Sequence, residues 1–304
     1  MRVAVVDIGT NSTRLLIAEV EDGRVTRELT RQSRVTRLGQ GVDLTGALAD
    51  EAMHRVFAVL DDYRAAIDAH AVDRTTAVLT SAVRDATNGA RFTETVRTRY
   101  GLDAETIPGA EEAALTFLGA TSERDPDQPG ESVVIDIGGG STEVVVGRGQ
   151  DVSFFVSMQV GVVRQTERHV HSDPPEHDEL TALAAEVEEI VHTEVPSEVR
   201  ERVEHAIAVA GTATSAAAID LALDPYDPDR VHGHRIDVAR LEELLARLAQ
   251  MTNEKRRDVV GLHPDRAPTI VAGVVILLEV LRAFGIDRVE VSEHDILRGA
   301  ALRL

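Results

Sequence analysis

The sequence predicts an α/β protein built from a duplicated domain, and two observations lead to this expectation. The first is a strand, turn and strand pattern at residues 132–149, SVVIDIGGGSTEVVVGRG, which recurs at residues 3–20 as VAVVDIGTNSTRLLIAEV. An offset of 129 residues aligns Asp7 with Asp136, each near the end of an apolar run. The second is the length of 304 residues, because single hydrophobic cores usually stop growing near about 250 residues. We therefore expect two domains with a phosphate cleft between them.

The turn of the second copy has the composition of a phosphate-binding loop. Three consecutive glycines present backbone N–H groups with no Cβ in front of them, so a phosphate can approach closely. Asp136 ends the preceding strand, and a carboxylate beside a polyanion requires a cation, for which Mg²⁺ is the usual choice. The alternative is a glycine-rich hairpin turn with an incidental aspartate. The predicted phosphate-binding residues here are Gly138, Gly139, Gly140, Ser141 and Thr142.

The first copy and a third segment predict further anion sites. In the first copy Thr10 and Asn11 replace two glycines, and the candidate residues are Gly9, Thr10, Asn11 and Ser12. Residues 206–217, AIAVAGTATSAA, predict a strand, a turn at Gly211 and Thr212, and a helix. The N-terminus of that helix would bind an anion through its unpaired N–H groups.

Composition limits the possible functions. The formal charge of −20 argues against a general nucleic-acid binder, which needs clustered Lys and Arg. The chain has no cysteine, which excludes disulfides and agrees with a reducing cytoplasm. Met1 and Arg2 lead directly into a strand-like run, so we expect no signal peptide, and no run of about 20 apolar residues could span a membrane. A cytoplasmic protein is expected, and the sequence leaves its oligomeric state open, a homodimer included.

Periodicity predicts the remaining elements. Apolar residues at helical spacing predict amphipathic helices, and residues 269–284 form a nearly continuous apolar run that predicts a buried core helix. The predicted strands lie at 24–37 and 75–80, and the amphipathic helices at 49–70, 180–195 and 238–251. Arg31, Arg34 and Arg37 in the first of these strands are either a solvated face or a guide for a polyphosphorylated ligand.

Two short segments of the first half contain candidate catalytic residues. Ser81 could cap a helix that carries Arg84 in its first turn, where a guanidinium would either bind phosphate or pair with an acid. Residues 107–119, IPGAEEAALTFLG, predict a turn and a helix beginning with Glu111 and Glu112. These glutamates either stabilise the helix dipole or orient a water for attack on phosphorus.

A polar linker divides the chain. Residues 122–132, SERDPDQPGES, are rich in Pro, Asp, Ser and Gly and lie immediately before the second copy of the repeat. We expect domains at residues 1–124 and 125–292.

The motifs together resemble one family. DIGTNSTRLLI, TSAVRDA, GAEEAALTFLG, DIGGGSTE, SMQVGVVRQTE, AGTATS, VHGHRI and VSEHDILRGA occur in the order found in the exopolyphosphatase and guanosine pentaphosphate phosphohydrolase (Ppx/GppA) family. The chain is similar to the short two-domain form of this family, which belongs to the actin, sugar-kinase and heat-shock ATPase superfamily. The resemblance implies two ribonuclease-H-like domains, with the final helix, about 293–304, packing back on the first.

The resemblance also implies an activity and its residues. It implies Mg²⁺-dependent hydrolysis of terminal phosphate from inorganic polyphosphate or pppGpp, with ppGpp as a further ligand. The family's catalytic glutamate matches the Glu111 and Glu112 pair, of which Glu112 is preferred, and Arg84 matches a phosphate-contacting arginine. Metal ligands match Asp136, Glu143 and Asp7, and Arg14 extends the first phosphate loop.

Three departures from the family pattern affect substrate preference more than reaction type. Pro108 stands where many members have a serine, Pro268 replaces a common aspartate, and Arg298 occupies a position that is often acidic. Two other functions stay open: an ATP-dependent kinase or ATPase of the same superfamily, and a non-catalytic polyphosphate or alarmone sensor.

Two further patterns have structural explanations. His169, His171 and His177 resemble a zinc cluster, but neighbouring prolines and acids favour a solvated loop. Ser292, followed three residues later by Asp295, predicts a helix cap.

Overall fold

A computed structural model describes residues 1–125, 129–149 and 151–304. The predicted linker at 122–132 includes residues 126–128, which lie outside the described residues. The strands are β1 (Arg2–Ile8), β2 (Ser12–Glu21), β3 (Arg24–Val35), β4 (Arg74–Leu79), β5 (Asp103–Thr106), β6 (Glu131–Ile137), β7 (Thr142–Arg148), β8 (Asp151–Met158), β9 (Val203–Val209), β10 (Arg235–Asp237) and β11 (Arg288–Val291).

Helices connect these strands. In chain order they are α1 (Val42–Thr45), α2 (Asp50–Ala69), α3 (Ser81–Asp85), α4 (Gly89–Tyr100), α5 (Gly109–Thr121), α6 (Val162–His169), α7 (His177–Glu194), α8 (Ser197–Arg200), α9 (Ala210–Asp220), α10 (Pro228–Val231), α11 (Val238–Ala249), α12 (Asn253–Arg256), α13 (Ile270–Ala283) and α14 (Ile296–Arg303). A 3₁₀ turn at Pro264–Arg266 precedes α13.

The chain forms two compact units. Unit 1 comprises Met1–Ser122 with Asp295–Leu304, and unit 2 comprises Glu123–His294. The sheet of unit 1 has the order β3-β2-β1-β4-β5, and that of unit 2 the order β8-β7-β6-β9-β11-β10. In unit 1, β2 is antiparallel to β1 and β3, while β1, β4 and β5 pair in parallel. In unit 2, β7 is antiparallel to β6 and β8, while β6, β9 and β11 pair in parallel. The two sheets thus share the order of their first five strands, which confirms the predicted duplicated α/β fold.

Both faces of the unit 1 sheet are covered, because side chains alternate along each strand. On β1, Ala4, Val6 and Ile8 belong to a core that includes residues of α2 and α4. The intervening Val3 and Val5 belong to a second core with residues of α5 and α14. The continuous apolar run of β1 therefore reflects burial on two sides.

Helices α5 and α14 pack closely through two glycines. A Cβ on Gly119 would collide with the carbonyl oxygen of Asp295, and one on Gly299 would collide with that of Leu115. This close approach explains why glycine occurs at both positions. The last helix is thereby part of unit 1.

Unit 2 has one large core, and α13 lies within it. Its residues from Ile270 to Leu281 are buried, as the apolar run predicts. Within the described part of the chain, no helix is both long and apolar enough to cross a membrane.

Local predictions were wrong at three helix starts. The α3 helix is capped by Thr80, so Ser81 lies inside it and Arg84 lies in its last turn. The α9 helix begins at Ala210, which places Gly211 and Thr212 in its first turn instead of in a loop.

The third error concerns α14. Its N-cap is Asp295, whose carboxylate accepts from the Leu297 N–H at 3.0 Å. Ser292 lies too far before the helix to cap it, and its hydroxyl accepts from the His294 N–H instead. The sequence spacing identified the two polar residues, but it placed the helix cap at Ser292 instead of at Asp295.

Candidate active site

The two repeated hairpins share one turn geometry. In unit 1 the Gly9 N–H donates to the Ser12 carbonyl at 2.9 Å, and in unit 2 Gly138 donates to Ser141 at 3.0 Å. The sequence offset therefore describes equivalent backbone positions. Each turn directs its middle residues away from the sheet ladder.

The turn of unit 2 rests on the N-terminus of α6. The N–H groups of Val162 and Val163 donate to the carbonyls of Gly138 and Gly139, each at 2.9 Å. A Cβ on Gly161 would collide with the backbone of Gly139. No described residue accepts a hydrogen bond from the Gly139 or Gly140 N–H, so these two donors are available to a ligand. This is the arrangement of an anion-binding nest.

The turn of unit 1 is fixed by neighbouring loops. The Thr10 carbonyl accepts from the Gly39 N–H at 2.9 Å, and the Asn11 carbonyl accepts from Thr36 and Arg37 at the same distance. The Thr10 hydroxyl bonds Ser81 at 2.9 Å. The Thr10 side chain thus joins the turn to α3, and the Thr10 and Asn11 carbonyls join it to the segment that follows β3.

Unit 2 carries two buried carboxylates side by side. Asp136 on β6 is paired with Glu143 on β7, so both side chains lie on one face of the sheet next to the turn. Their residues are only 7% and 1% exposed. The Ser157 hydroxyl on β8 donates to Glu143 Oε1 at 2.7 Å. Two adjacent buried anions repel each other, and a divalent cation with oxygen ligands would compensate this charge.

Unit 1 carries a different charge arrangement at the equivalent place. Asp7 on β1 is paired with Arg14 on β2, and Arg14 Nη2 lies 2.6 Å from Asp7 Oδ2. Arg14 also forms an ion pair with Asp295, the cap of α14. Burial raises the pKa of Asp7, and Arg14 opposes that rise. Arg14 was predicted to extend a phosphate loop, whereas in this structure it joins two carboxylates.

Asp7 has one oxygen available for a cation. Its Oδ1 is buried and has no hydrogen-bond partner among the described residues. An orphaned carboxylate oxygen is expensive to bury unless a ligand satisfies it. Like the carboxylates of Asp136 and Glu143, this atom fits a hard cation such as Mg²⁺ better than it fits an apolar or anionic ligand.

The two candidate catalytic glutamates at the start of α5 have different environments. The Glu112 side chain is 10% exposed, and its Oε2 accepts from Arg84 Nη1 at 3.1 Å. The same Arg84 nitrogen donates to the Ile107 carbonyl at 3.1 Å, which fixes the guanidinium. The Glu111 side chain is 31% exposed and forms an ion pair with Arg303 on α14. Only Glu112 is thus held in a buried position by an arginine.

The start of α9 is covered by a side chain that the sequence did not indicate. A Cβ on Gly211 would collide with the guanidinium of Arg266. Thr212 is buried, and its hydroxyl lies against Gly273 of α13. Gly211 therefore faces a cation, while Thr212 packs in the core. Because Arg266 is 55 residues away in the sequence, no local pattern could have placed it here.

The departures from the family pattern have local explanations. Pro108 is the N-cap of α5, and its carbonyl accepts from Glu111 and Glu112. Arg298 is buried, and its Nε donates to the Ser122 hydroxyl at 3.0 Å. Pro268 lies in the turn before α13. Arg298 therefore acts as a packing residue of unit 1.

Within the part of the chain that the structure describes, His169, His171 and His177 form no group that could hold a metal. His169 ends α6 and bonds Glu186, while His177 begins α7. Among the described residues, the one group of three side chains that could share a metal is Glu123, His232 and His294. Sequence spacing drew attention to other histidines because these three are far apart in the chain.

Fold and site together define a class of protein: a duplicated α/β chain with phosphate-type turns beside buried carboxylates. A family model for the Ppx/GppA phosphatase family matches residues 16–301. Exopolyphosphatase 2 of Mycobacterium tuberculosis is 40% identical over 315 residues, covering 100% of this chain and 98% of that protein. The chain belongs to the Ppx/GppA family and is a phosphoanhydride hydrolase, as the motifs predict.

Solved structures agree with this assignment. The Ppx/GppA family member of Aquifex aeolicus has a TM-score of 0.83 and 33% identity, over 100% of this chain and 97% of that one. An exopolyphosphatase from Cytophaga hutchinsonii has a TM-score of 0.90 and 26% identity, over 100% and 98% of the two chains. The similarity therefore extends over the whole length of the proteins.

Proposed function

We propose that this protein is an Mg²⁺-dependent exopolyphosphatase that removes the terminal phosphate of inorganic polyphosphate. The observation that supports this proposal most strongly is the buried pair Asp136 and Glu143 beside a turn suited to bind an anion. The chain also matches an exopolyphosphatase over its full length. Two buried carboxylates next to a phosphate site are explained by a cation that both groups share.

In unit 2 the residues that would hold Mg²⁺ are Asp136 and Glu143, and in unit 1 the Oδ1 atom of Asp7 is a candidate cation ligand. When bound, the ion would neutralise the negative charge of the phosphates and of the transition state. The amides of Gly139 and Gly140 bind oxygens of the terminal phosphates. The turn of unit 1 is a second candidate site for phosphate oxygens.

Glu112 performs the proton chemistry in this proposal. It accepts a proton from the attacking water at Oε1 while Arg84 holds Oε2, so the water oxygen is directed toward the terminal phosphorus. The new P–O bond forms as the bridging P–O bond breaks. The products are orthophosphate and a polyphosphate chain shorter by one phosphate. Arg84 keeps the carboxylate in one orientation through the reaction.

A substitution pair tests the role of Glu112. Glu112→Gln should lower the rate of phosphate release from polyphosphate by about 10²- to 10⁴-fold, because the base is lost while shape is kept. Glu111→Gln is the matched control and should stay within about twofold of the parent, since its partner Arg303 lies on the surface. Near-full activity of the Glu112→Gln protein contradicts the assignment.

A substrate panel tests the function as a whole. Phosphate release from polyphosphate, pppGpp and ATP is compared with Mg²⁺ and with excess chelator. Polyphosphate should be the preferred substrate, and chelator should abolish release. Preferred turnover of ATP would indicate the kinase or ATPase alternative, and tight binding of polyphosphate without turnover would indicate a sensor.

A further inference from the structure

A second group of metal-ligating side chains lies outside the residues assigned to hydrolysis. Glu123, His232 and His294 each offer a ligand atom, and these atoms lie within 4.8 Å of one another. All three belong to unit 2. From this geometry we infer that they form a transition-metal site, with Zn²⁺ as the ion that the donor set fits best.

The distances suit a single ion. Ligand atoms of a tetrahedral zinc site with bonds of about 2.0–2.1 Å lie about 3.3 Å apart. His294 Nδ1 and Glu123 Oε2 are separated by 3.6 Å, beyond the usual range for a direct hydrogen bond. The rings of His232 and His294 have centroids 4.2 Å apart at an interplanar angle of 36°. Shifts of about 1 Å would close the group around a metal.

Neighbouring groups contact the His232 ring and the His294 backbone. The Glu293 N–H donates to His232 Nδ1 at 3.3 Å, and the Ser292 hydroxyl lies 3.5 Å from the same nitrogen. Ser292 also accepts from the His294 N–H at 3.0 Å. One serine therefore contacts both histidine residues.

The donor chemistry selects the class of metal. Two imidazoles and one carboxylate are borderline ligands that favour Zn²⁺ and its neighbours over Mg²⁺, which prefers oxygen. Three protein ligands leave a fourth position for water. The Glu123 side chain is 55% exposed, so its carboxylate can turn toward an ion and the ion can enter from solvent.

The location gives the site a consequence. Glu123 is the first residue of unit 2 and His294 is the last, so each adjoins a point where the chain passes between units. A shared ion would tie these two connecting segments together. The ion would thus hold the first and last residues of unit 2 together, and it would be separate from the carboxylates that are proposed to serve hydrolysis.

Cobalt titration tests the site. The chelator-treated protein in excess Mg²⁺, which fills oxygen sites, is titrated with Co²⁺ while visible absorption and stoichiometry are measured. We expect one Co²⁺ per chain with a nitrogen-ligand absorption band, and displacement by Zn²⁺. His232→Gln and Glu123→Gln should each weaken binding at least about tenfold. His171→Gln, at an exposed histidine of the same unit, should bind as the parent does.

Thermal unfolding separates ligand loss from misfolding. In chelator the variants should unfold within a few degrees of the parent, and Zn²⁺ should raise the Tm of the parent alone. Glu123→Gln decides the question if His232→Gln folds poorly, because Glu123 is exposed. Absence of the band in the parent, or an unchanged band in Glu123→Gln and His232→Gln, overturns the inference.

Discussion

The two hairpins have the same backbone turn but opposite charges on the strand that follows it. In unit 1 the aspartate of the first strand is paired with Arg14, whereas in unit 2 the equivalent aspartate is paired with Glu143. The turn hydrogen bonds agree within 0.1 Å. One side chain at one ladder position therefore decides whether the buried aspartate lies opposite an arginine or opposite a second carboxylate.

This difference gives the two copies of one motif different charge arrangements. Arg14 is 15% exposed and bridges Asp7 to Asp295, which caps the last helix of unit 1. Glu143 instead doubles the negative charge beside Asp136. Duplication preserved the phosphate-type turn in both copies, while the charge on the second strand diverged. The comparison predicts that the two copies respond differently to substitution.

The largest effect is expected in unit 2. Glu143→Gln keeps the shape of the side chain but removes half of the carboxylate pair, so Mg²⁺-dependent phosphate release should fall about 10³-fold. Asp7→Asn should raise the Mg²⁺ concentration for half-maximal rate by about tenfold at most, because Arg14 already compensates Asp7. The measurement is the rate of phosphate release against Mg²⁺ concentration. Equal losses in the two variants would contradict the asymmetry between the hairpins.

The next effect is on the stability of unit 1. Arg14→Met leaves Asp7 and Asp295 buried without their shared cation, and should lower the free energy of unfolding by about 3 kcal/mol. Denaturant unfolding in chelator measures this change. Leu16→Met, on the same strand in the core, is the matched control for a hydrophobic exchange and should change it by less than about 1.5 kcal/mol.

The stability loss should depend on pH with a defined sign. Burial already raises the pKa of Asp7, so the folded state binds a proton more tightly than the unfolded chain does. The fold therefore loses stability as the pH rises above the pKa that Asp7 has in the unfolded chain, because Asp7 must then ionise while buried. Removal of Arg14 enlarges this loss of stability. The deficit of Arg14→Met should be largest at neutral pH and should shrink as pH falls toward about 4. A deficit that is constant with pH would mean that Asp7 is not involved.

Sequence reasoning predicted the elements that local pattern determines. Two apolar strands around a polar turn define each hairpin, and the apolar run at residues 269–284 identifies the core helix α13. The turn residues and the paired aspartates followed from the repeat. Local pattern and internal repetition were therefore sufficient to predict the α/β fold, and the order of the motifs was sufficient to predict the family.

Long-range partners could not be predicted in the same way. Arg14 bonds Asp295 across 281 positions of sequence, and Arg298 bonds Ser122 across 176. Such contacts depend on the path of the chain, which no periodicity encodes. Glu111 and Glu112 illustrate the same limit, because adjacent identical residues are distinguished only by Arg303 on one side and Arg84 on the other.

The smallest effect is expected at Ser157, which lies opposite Glu143 in the sheet. In unit 1 the residue equivalent to Glu143 is Arg14, so no carboxylate is oriented in this way there. The Ser157 hydroxyl donates to Glu143 Oε1 at 2.7 Å, so Ser157→Ala removes an orienting contact but leaves the metal-binding charge intact. Outer contacts of this type are worth about 10- to 100-fold in metal affinity, and the lower value is expected because Ser157 is only partly buried. The Mg²⁺ concentration for half-maximal rate should rise about tenfold while the rate at saturating Mg²⁺ changes little. Ser153→Ala is the control, since that hydroxyl on the same strand donates to the Val146 carbonyl and contacts neither Glu143 nor Asp136 among the bonds of the described residues. A loss of maximal rate without a shift in Mg²⁺ dependence would show that Ser157 acts on the substrate and not through Glu143.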